Sequence, residues 1–430
     1  MICAFVFRRD LRLDDNAGLI SAMSECEQVA PVFVIDPRQV EDNEYKSEKA
    51  LAFMFNSLRE LDQEIRERGG KLFVFKGIAE EVITRLLDKV DAVYLNEDYT
   101  PFSKRRDSAI AEACKRKGKA FRSFEDYLLT PKAEFKGFRN FTSFYNYARG
   151  LKVREPLRNE YKNFFTGKLL EEVEPPEPQS AGRFKGGRKE GLYLVERAKR
   201  IDYFRRDYPS EGNVSYLSPH LKFGTVSPRE VYYALRENLA FIRQLYWRDF
   251  YTLLAYYNER VFREPFKAQF KDVQWENDRI LFELWKRGKT GYPIVDAGMR
   301  ELNETGYMHN RVRMISAFLL TKVFLVDWRW GEKYFAQKLV DYDPSVNNGN
   351  WQWVASTGVD YTFRVFDPWK QQKKFDPNAK YIKTWVEELR DYPPHVIHEA
   401  YSRDIPGYPR PVVDWRERVE KARKLYFKET

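Results

Sequence analysis

Short apolar runs alternate with amphipathic stretches over the first 130 residues. Near-continuous apolar runs are typical of parallel strands, because both faces of such a sheet are covered. Strands are predicted at residues 3–7, 29–35, 72–75 and 92–95, and helices between them at about 16–25, 46–68, 79–88 and 103–118. This alternation predicts an α/β domain with a parallel sheet, in which ligands bind beyond the carboxyl ends of the strands.

The rest of the chain has a different pattern. Residues 131–190 read as a connector, since the proline-rich run 174–178 fits neither a helix nor a central strand. Residues 191–430 show helical periodicity with little strand signal, and all ten tryptophans lie beyond residue 240. The expected organisation is therefore an α/β domain over 1–130, a connector and an all-α C-terminal domain.

Composition narrows the class of protein. A net charge of +10 and a pI near 9.1 suit a polyanion such as DNA, although many basic proteins bind no nucleic acid. No run approaches the roughly 20 apolar residues of a membrane span, and the early charges at 8–10 do not fit a secretory signal. Cys3, Cys26 and Cys114 lie far apart, which indicates a reducing cytoplasm without a disulfide framework. Four histidines without a His-Glu-x-x-His pattern make a metal site unexpected.

Two kinds of segment carry candidate chemistry. Residues 341–353 combine carboxylates, amides and indoles, as a polar pocket with aromatic walls would, but a loop with capping Asp and Asn residues is the alternative. Basic and aromatic residues interleave at 246–250, 328–330 and 363–366, which suits exposed bases and phosphates or, alternatively, amphipathic helices. These features by themselves identify neither a flavin nor a light reaction.

Longer motifs are shared with one family. Residues 7–16 (FRRDLRLDDN), 290–300 (TGYPIVDAGMR), 306–314 (GYMHNRVRM) and 347–358 (NNGNWQWVASTG), with Asp327-Trp328-Arg329 between the last two, occur in this order. In these segments the sequence resembles the photolyase/cryptochrome family, and most of all its class I cyclobutane pyrimidine dimer photolyases. The resemblance implies blue-light-driven electron transfer from reduced FAD to a dimer flipped out of DNA, which splits it into monomers.

The resemblance also implies a cofactor site in the helical domain. The residues that would line the FAD are Tyr203, Ser218, Trp247, Arg248, Arg313, Asp341, Asp343 and Asn347. Among them, Arg313 and Asp341 would pair beside the flavin ring, Ser218 would offer its hydroxyl to a phosphate, and the neutral amide of Asn347 would face flavin N5.

The same resemblance assigns an electron-transfer chain and a DNA site. Trp351, Trp328 and Trp275 would carry electrons between flavin and surface, with simple core packing as the alternative. UV-damaged DNA would be bound by a further set of residues that shares Trp247 with the cofactor site. In this set Trp247 and Trp353 would be apolar walls, Asn310 and Met314 would contact the bases, and the phosphates would be bound by Arg206, Arg311 and Arg364.

One position departs from the pattern. The family's cyclobutane-dimer enzymes usually carry Glu where this chain has Gln244, and an amide cannot carry a charge or give up a proton as Glu can. The (6-4) photolyases are similar to this chain in having Gln at this position. They use paired histidines, however, where this chain has Tyr-Met-His-Asn at 307–310. Cyclobutane dimers are therefore the expected substrate, with (6-4) repair as the alternative.

Further expectations concern a second chromophore and rival functions. The sheet domain is expected to hold an antenna chromophore near Arg9, Asp36, Asn96, Glu97 and Asp98, although an empty cleft is the alternative. A second flavin or a deazaflavin is favoured over folate, because the Cys-Lys pair of some folate-binding members is absent around 261–263. The rivals are a cryptochrome-like photoreceptor, disfavoured because no long tail follows the family region before residue 430, and a non-catalytic nucleic-acid-binding protein. A monomer is the family expectation, and the cysteine usage favours the cytoplasm.

Overall fold

In the computed structural model, which describes residues 1–360 and 362–428, the chain forms five strands and nineteen α-helices. The strands are β1 Ile2–Phe7, β2 Gln28–Ile35, β3 Phe73–Lys76, β4 Ala92–Asn96 and β5 Ala120–Phe124. The first ten helices, in chain order, are α1 Ala17–Glu25, α2 Pro37–Val40, α3 Glu48–Glu67, α4 Ala79–Leu86, α5 Pro101–Arg116, α6 Phe141–Ala148, α7 Arg188–Ala198, α8 Ser218–Phe223, α9 Pro228–Leu235 and α10 Leu239–Tyr257. The remaining helices are α11 Arg279–Arg287, α12 Pro293–Thr305, α13 Asn310–Phe318, α14 Trp328–Lys338, α15 Pro344–Ala355, α16 Pro368–Phe375, α17 Lys380–Trp385, α18 Pro394–His398 and α19 Trp415–Phe427.

Shorter elements connect these helices. They comprise a π-helical turn at Leu319–Val323 and 3-10 turns at Lys132–Glu134, Tyr203–Arg205, Glu259–Phe262, Ala268–Phe270 and Glu387–Leu389. Within the described ranges, no helix is both long and apolar enough to cross a bilayer.

The sheet is parallel throughout and has the order β3-β2-β1-β4-β5. The four predicted strands and the helices between them are confirmed within a few residues. The sequence pattern missed β5 because its residues are mostly exposed or half-buried, as expected at a sheet edge, so the strand lacks an apolar run. The connector also contains α6, which its proline-rich composition did not predict.

Residue contacts divide the chain into two compact units. The first comprises Met1–Arg200 with Ser215–Glu259, and so combines the sheet with helices up to α10. The second comprises Ile201–Val214 with the chain from Arg260 onward and is helical. The α/β and all-α fold classes predicted for the two ends of the chain are confirmed, while the domain boundaries stay a prediction.

The expectation about cysteines is wrong. Cys3 and Cys26 form a disulfide with their Cα atoms 6.2 Å apart. They are 23 residues apart in the sequence, but α1 returns along the sheet, so that its C-terminal end lies beside the start of β1. The backbone N–H groups of Glu27 and Gln28 accordingly donate to the Met1 carbonyl, at 3.1 and 3.3 Å. Cysteine usage therefore gives no support to the expected reducing compartment.

The N-terminal motif forms a buried ion network in the first unit. Arg229, on α9, donates to Asp15 at 2.7 Å and to Asp126 at 2.9 Å, and Arg12 donates to the other Asp126 oxygen at 2.5 Å. All four side chains are at most 5% exposed. Burying charges is costly unless each has a partner, and here each guanidinium faces a carboxylate. These motif residues therefore join the sheet to α9.

The motif at 290–300 is also structural. Asp296, fully buried on α12, accepts hydrogen bonds from the Thr290 N–H at 2.8 Å and hydroxyl at 2.6 Å, and from the Tyr408 hydroxyl at 2.6 Å. Burial nevertheless raises the pKa of the Asp296 carboxyl. The Asp296 carboxyl fixes the turn that begins α12. This helix contributes side chains to the apolar core of the second unit.

Candidate functional site

The predicted site residues fall into both compact units. Ser218, Gln244, Trp247 and Arg248 belong to the first unit, and the other predicted cofactor, DNA and electron-transfer residues belong to the second.

In the first unit, α10 carries three of these side chains. The Trp247 ring stacks on Phe141 with centroids 3.7 Å apart and an interplanar angle of 7°. Arg248 lies over the Tyr127 ring at 3.8 Å and donates to the Tyr127 carbonyl at 2.6 Å. Its other terminal nitrogen donates, at 3.4 Å, to the carbonyl of Leu221, a residue of the short helix α8 that begins at Ser218. Arg248 thus helps to hold the segment that contains Ser218.

Gln244 lies on the same helix and is half-buried. Its amide nitrogen donates to the Ala240 carbonyl one turn earlier at 3.4 Å, a long hydrogen bond that costs little to exchange. The amide is therefore available to a ligand.

In the second unit, Arg313 and Asp341 form the pair that the resemblance predicts. The two terminal nitrogens of Arg313 donate to the two oxygens of Asp341 at 3.2 and 2.9 Å, and its Nε donates to the Met308 carbonyl at 2.6 Å. Burial lowers the pKa of the Arg313 guanidinium, but Asp341, with smaller contributions from Tyr307 and Glu301, makes the net shift upward. The bidentate geometry fixes the plane of the guanidinium.

Asn347, on α15, is held in one orientation by Glu332 of α14. Its Nδ2 group donates to the Glu332 backbone carbonyl at 3.1 Å and to the carboxyl Oε1 at 3.2 Å. Burial raises the pKa of the Glu332 carboxyl to about 7, and the bond from Asn347 opposes the rise. Because both amide hydrogens are engaged, the Asn347 carbonyl oxygen is the atom left to meet a ligand. Sequence reasoning missed Glu332, for a lone Glu on a helix looks like a surface residue.

Asp343 has a different local role. Its carboxylate caps α15 by accepting from the N–H groups of Ser345 and Val346, both at 3.0 Å. Most of the segment 341–353 is therefore helical, with Asp343 as its cap, and it is not the loop that was the alternative.

The three tryptophans of the predicted electron-transfer chain are placed differently. Trp351 and Trp328 are 2% and 1% exposed, whereas Trp275 is half-buried against Tyr426 at 5.7 Å. Trp351 packs on Phe335 at 4.8 Å and on Trp285, which the sequence did not single out, at 6.1 Å.

A glycine makes room for Trp351. A Cβ atom at Gly331 would come within 2.2 Å of the Trp351 ring, so any side chain there would displace the indole. Gly331 is on α14, three residues after Trp328, and the packing of α14 on α15 therefore depends on this position.

Trp353 and Arg364 form a stacked pair in the second unit. The guanidinium carbon lies 3.5 Å from the centroid of the indole, and Arg364 also pairs with Asp360. The stack presents a flat cationic surface over an aromatic ring, a combination that suits a base and its phosphate.

A buried lysine that sequence reasoning missed supports this pair. Lys322, in the π-helical turn, is 0% exposed and donates to the Ser356 hydroxyl at 2.5 Å and to the Arg364 carbonyl at 2.6 Å. Burial holds the pKa of the Lys322 amine well below its usual range, and the nearby charges of Arg364 and Arg423 add to this effect. The Lys322 amine thus holds two oxygens in place, those of Ser356 and Arg364.

The N-terminal end of α13 groups further predicted DNA residues. Asn310 is exposed and its side-chain nitrogen lies 3.9 Å from the sulfur of Met314, one turn later. Arg311 pairs with Asp207 at 2.9 Å, and Arg206 donates to the Tyr203 hydroxyl at 3.3 Å. Four of the predicted DNA residues and one predicted cofactor residue are therefore neighbours in this part of the second unit.

The five predicted antenna residues lie at the carboxyl ends of strands, as expected, but they are already paired. Asn96 donates to Asp10 at 2.6 Å and to Asn16 at 2.7 Å, and so is a structural hub. Arg9 pairs with Asp98 at 2.8 Å. Asp36 pairs with Arg38 at 2.6 Å, and Glu97 pairs with Lys132.

Comparison with known proteins matches both ends of the chain to one family. Residues 3–160 match the DNA photolyase family model, and residues 241–428 match the FAD binding domain of DNA photolyase. A deoxyribodipyrimidine photo-lyase of Halobacterium salinarum is 36% identical, with 98% of each chain covered. The structure of an archaeal photolyase from Sulfolobus tokodaii with two FAD molecules is 56% identical over all of both chains, with a TM-score of 0.94. A cryptochrome from Synechocystis is 28% identical over 99% of both chains, with a TM-score of 0.91.

Proposed function

This chain belongs to the DNA photolyase family, and from that premise we propose that it is a deoxyribodipyrimidine photolyase that splits cyclobutane pyrimidine dimers in DNA under blue light. The observation that carries the proposal is the 36% identity, over nearly the full length of both chains, to a relative named for this activity. Family membership makes the protein a lyase with an FAD-binding domain, while the dimer chemistry and the roles of single residues belong to the proposal.

The donor set of the second unit fits a flavin. Arg313 and Asp341 offer a planar ion pair, and the oriented carbonyl oxygen of Asn347 is able to accept a hydrogen bond from a flavin N–H. When bound there, reduced FAD would supply the light-driven electron exchange that splits the cyclobutane bonds.

The residues of the chain set the conditions for that exchange. Glu332 fixes the Asn347 amide, and a neutral amide places no negative charge beside an electron-rich ring. Trp351, Trp328 and Trp275 are proposed to supply electrons inward from the surface, because indoles are readily oxidised. The first two are shielded from water by burial, and the third reaches the surface.

DNA recognition follows from the cationic and aromatic side chains. We assign phosphate contacts to Arg206, Arg311 and Arg364, which would position the strand without reading sequence. Asn310 and Met314, side by side on α13, are assigned to the dimer bases. The Trp353 ring beneath Arg364 would pack against the dimer as an apolar wall.

Gln244 and Trp247, in the first unit, keep the roles in dimer binding that the resemblance gives them. Gln244 can donate and accept a hydrogen bond, so it is compatible with a thymine edge. It is also the one observation that favours (6-4) repair as a second candidate function.

The first unit is proposed to bind a second flavin, because the Sulfolobus tokodaii relative is described with two FAD molecules. The site would lie where β1 and β4 end, since the strand order reverses there. Two buried polar atoms in this region, the Tyr99 hydroxyl and Nη2 of Arg106, have no hydrogen-bond partner in the described chain. Burial raises the pKa of the Asp98 carboxyl, but Arg9, Arg106 and Arg8 together hold it below its usual range, so three guanidinium groups lie near this end of the sheet.

Flavin stoichiometry tests this assignment. Protein freed of its chromophores by denaturation should release two FAD molecules per chain, identified by chromatography. Release of one FAD together with a deazaflavin or a folate would identify that chromophore as the antenna in place of a second flavin. Release of one FAD alone would refute the antenna proposal.

Repair of an oligonucleotide with a single thymine cyclobutane dimer tests the main proposal. The photoreduced protein, incubated in blue light, should restore thymine, and the dark sample should not. Restoration of thymine only from an oligonucleotide with a (6-4) lesion would show that this lesion is the substrate. Restoration from neither lesion, with reducible FAD bound, would favour a photoreceptor of the kind named among the relatives.

A pair of tryptophan variants sharpens the assay. Trp353→Ala should lower affinity for the dimer by removing the ring under Arg364. Trp330→Ala, a half-buried position that packs on Phe282 at 5.3 Å, is the control and should leave dimer affinity unchanged. Equal affinities of the two variants would remove Trp353 from the substrate site.

A further inference from the structure

The short turn that begins at Tyr203 presents an apolar ring to solvent. Phe204 is 86% exposed, more than any other large hydrophobic side chain in the described residues. Single exposed apolar residues are common on protein surfaces, so exposure alone indicates little. Phe204, however, stands on a turn that is held by hydrogen bonds and is followed directly by two arginines.

The turn is tied down on both sides of Phe204. The Phe204 N–H donates to the Asp202 carboxylate at 3.2 Å, which begins the 3-10 turn Tyr203–Arg205. The Arg206 carbonyl accepts a hydrogen bond from Nε2 of His309 at 2.6 Å, while Nδ1 of His309 accepts from the Arg311 N–H at 3.1 Å. Burial lowers the pKa of His309 to about 4, so near neutral pH the ring stays in the uncharged form that these two bonds require. The backbone of the turn is therefore fixed to the start of α13.

Several cationic side chains lie near the turn that carries Phe204. Arg205 and Arg206 follow Phe204 directly, and Arg311 is joined to the same turn through Asp207. The Phe375 ring contacts both Tyr208, at 5.9 Å, and the Arg311 guanidinium, at 4.3 Å, which brings the end of α16 with Lys373 and Lys374 to this surface. Arg205 pairs with Glu211 at 2.5 Å and Arg311 pairs with Asp207 at 2.9 Å, while Lys373 and Lys374 are exposed at the end of α16.

A single aromatic ring among cations matches a nucleic-acid strand better than other partners. A protein or lipid partner would bury a contiguous apolar patch, whereas stacking on a base needs one exposed face with cations nearby for the phosphates. Flipping a dimer out of a duplex also leaves bases without their stacking neighbours. An aromatic side chain on a rigid turn can replace such a neighbour at little entropic cost.

We propose that Phe204 stacks on a base of the bound DNA, next to the strand held by Arg206 and Arg311. The inference rests on the proposed function, because it takes damaged DNA as the partner. It adds a base-contacting residue outside the set that contacts the dimer or its phosphates. From the usual contribution of one base–aromatic stack, removal of the ring should weaken DNA binding by roughly 5- to 150-fold.

Three variants of the full-length, FAD-loaded protein test this proposal. Binding to a duplex with one thymine dimer is measured by fluorescence anisotropy for Phe204→Ala, for Phe204→Trp and for a control, Ile280→Ala. Ile280, on α11 of the same unit, is 73% exposed, so its substitution matches the loss of exposed apolar surface. We expect the alanine variant at 204 to bind at least 5-fold more weakly, the tryptophan variant to bind as wild type, and the control to be unchanged.

A second readout reports stacking directly. With 2-aminopurine placed in turn at the positions flanking and opposite the dimer, wild-type protein should quench its fluorescence at one position, and Phe204→Ala should not. Wild-type affinity and unchanged quenching in Phe204→Ala would overturn the inference and leave the proposed function intact. Failure of the wild-type protein to prefer the dimer duplex over an undamaged one would instead refute the proposed function.

Discussion

The buried carboxyl of Glu332 provides a prediction with a defined pH dependence. Glu332 is 6% exposed, and its charged form is opposed by burial, so that its pKa is about 7 against 4.5 for a solvated glutamate. That difference corresponds to about 3 kcal/mol of destabilisation of the folded chain once the group is ionised. Glu332→Gln keeps the side-chain oxygen that accepts from Asn347 but removes the charge.

The sign follows from proton binding. Between about pH 4.5 and about pH 7 the folded chain retains a proton that the unfolded chain releases, so wild-type stability falls as pH rises through this window. The Gln variant does not titrate there. Its free energy of unfolding should therefore equal that of wild type at about pH 4 and exceed it by about 3 kcal/mol at about pH 8.

Guanidinium unfolding of wild type and Glu332→Gln across this pH range measures the difference. Glu304→Gln is the control, because Glu304 is exposed and its substitution should give a small difference without this pH profile. A difference between Glu332→Gln and wild type that stays constant from about pH 4 to about pH 8 would refute the reasoning, since the carboxyl would then not change its protonation state with folding.

Three further predictions concern stability and repair. Cys26→Ser, which removes the bond to Cys3, should lower the free energy of unfolding by about 3 kcal/mol, as expected for releasing a loop of this length. Added reductant should lower the free energy of unfolding of the wild type and leave that of the variant unchanged. Identical stabilities of wild type and variant would contradict this prediction. Arg229→Met should cost roughly 3–5 kcal/mol in denaturant unfolding, because two buried carboxylates lose a partner, and a cost below about 1 kcal/mol would show that water replaces it. Gln244→Glu should raise the number of cyclobutane dimers repaired per absorbed photon, if a carboxyl serves the thymine edge better than an amide. An equal or lower yield would remove that interpretation of position 244.

The sequence by itself determined the elements and the class of site. Apolar runs and helical periodicity located four of the five strands and the helices between them, because burial on both faces of a parallel sheet requires those runs. The edge strand β5 escaped because exposed residues leave no such pattern. The Arg313–Asp341 pair was predictable only from the family motif, since nothing in the spacing of residues 313 and 341 places them together.

Only the tertiary structure decided which side chains support the site. Glu332, Lys322 and Trp285 are ordinary in sequence, and their importance arises from burial beside Asn347, Arg364 and Trp351 respectively. The disulfide between Cys3 and Cys26 was likewise set by the return of α1 along β1 and not by any spacing rule. A sequence pattern reports local periodicity, whereas desolvation and long-range pairing depend on neighbours that the folded chain alone brings together.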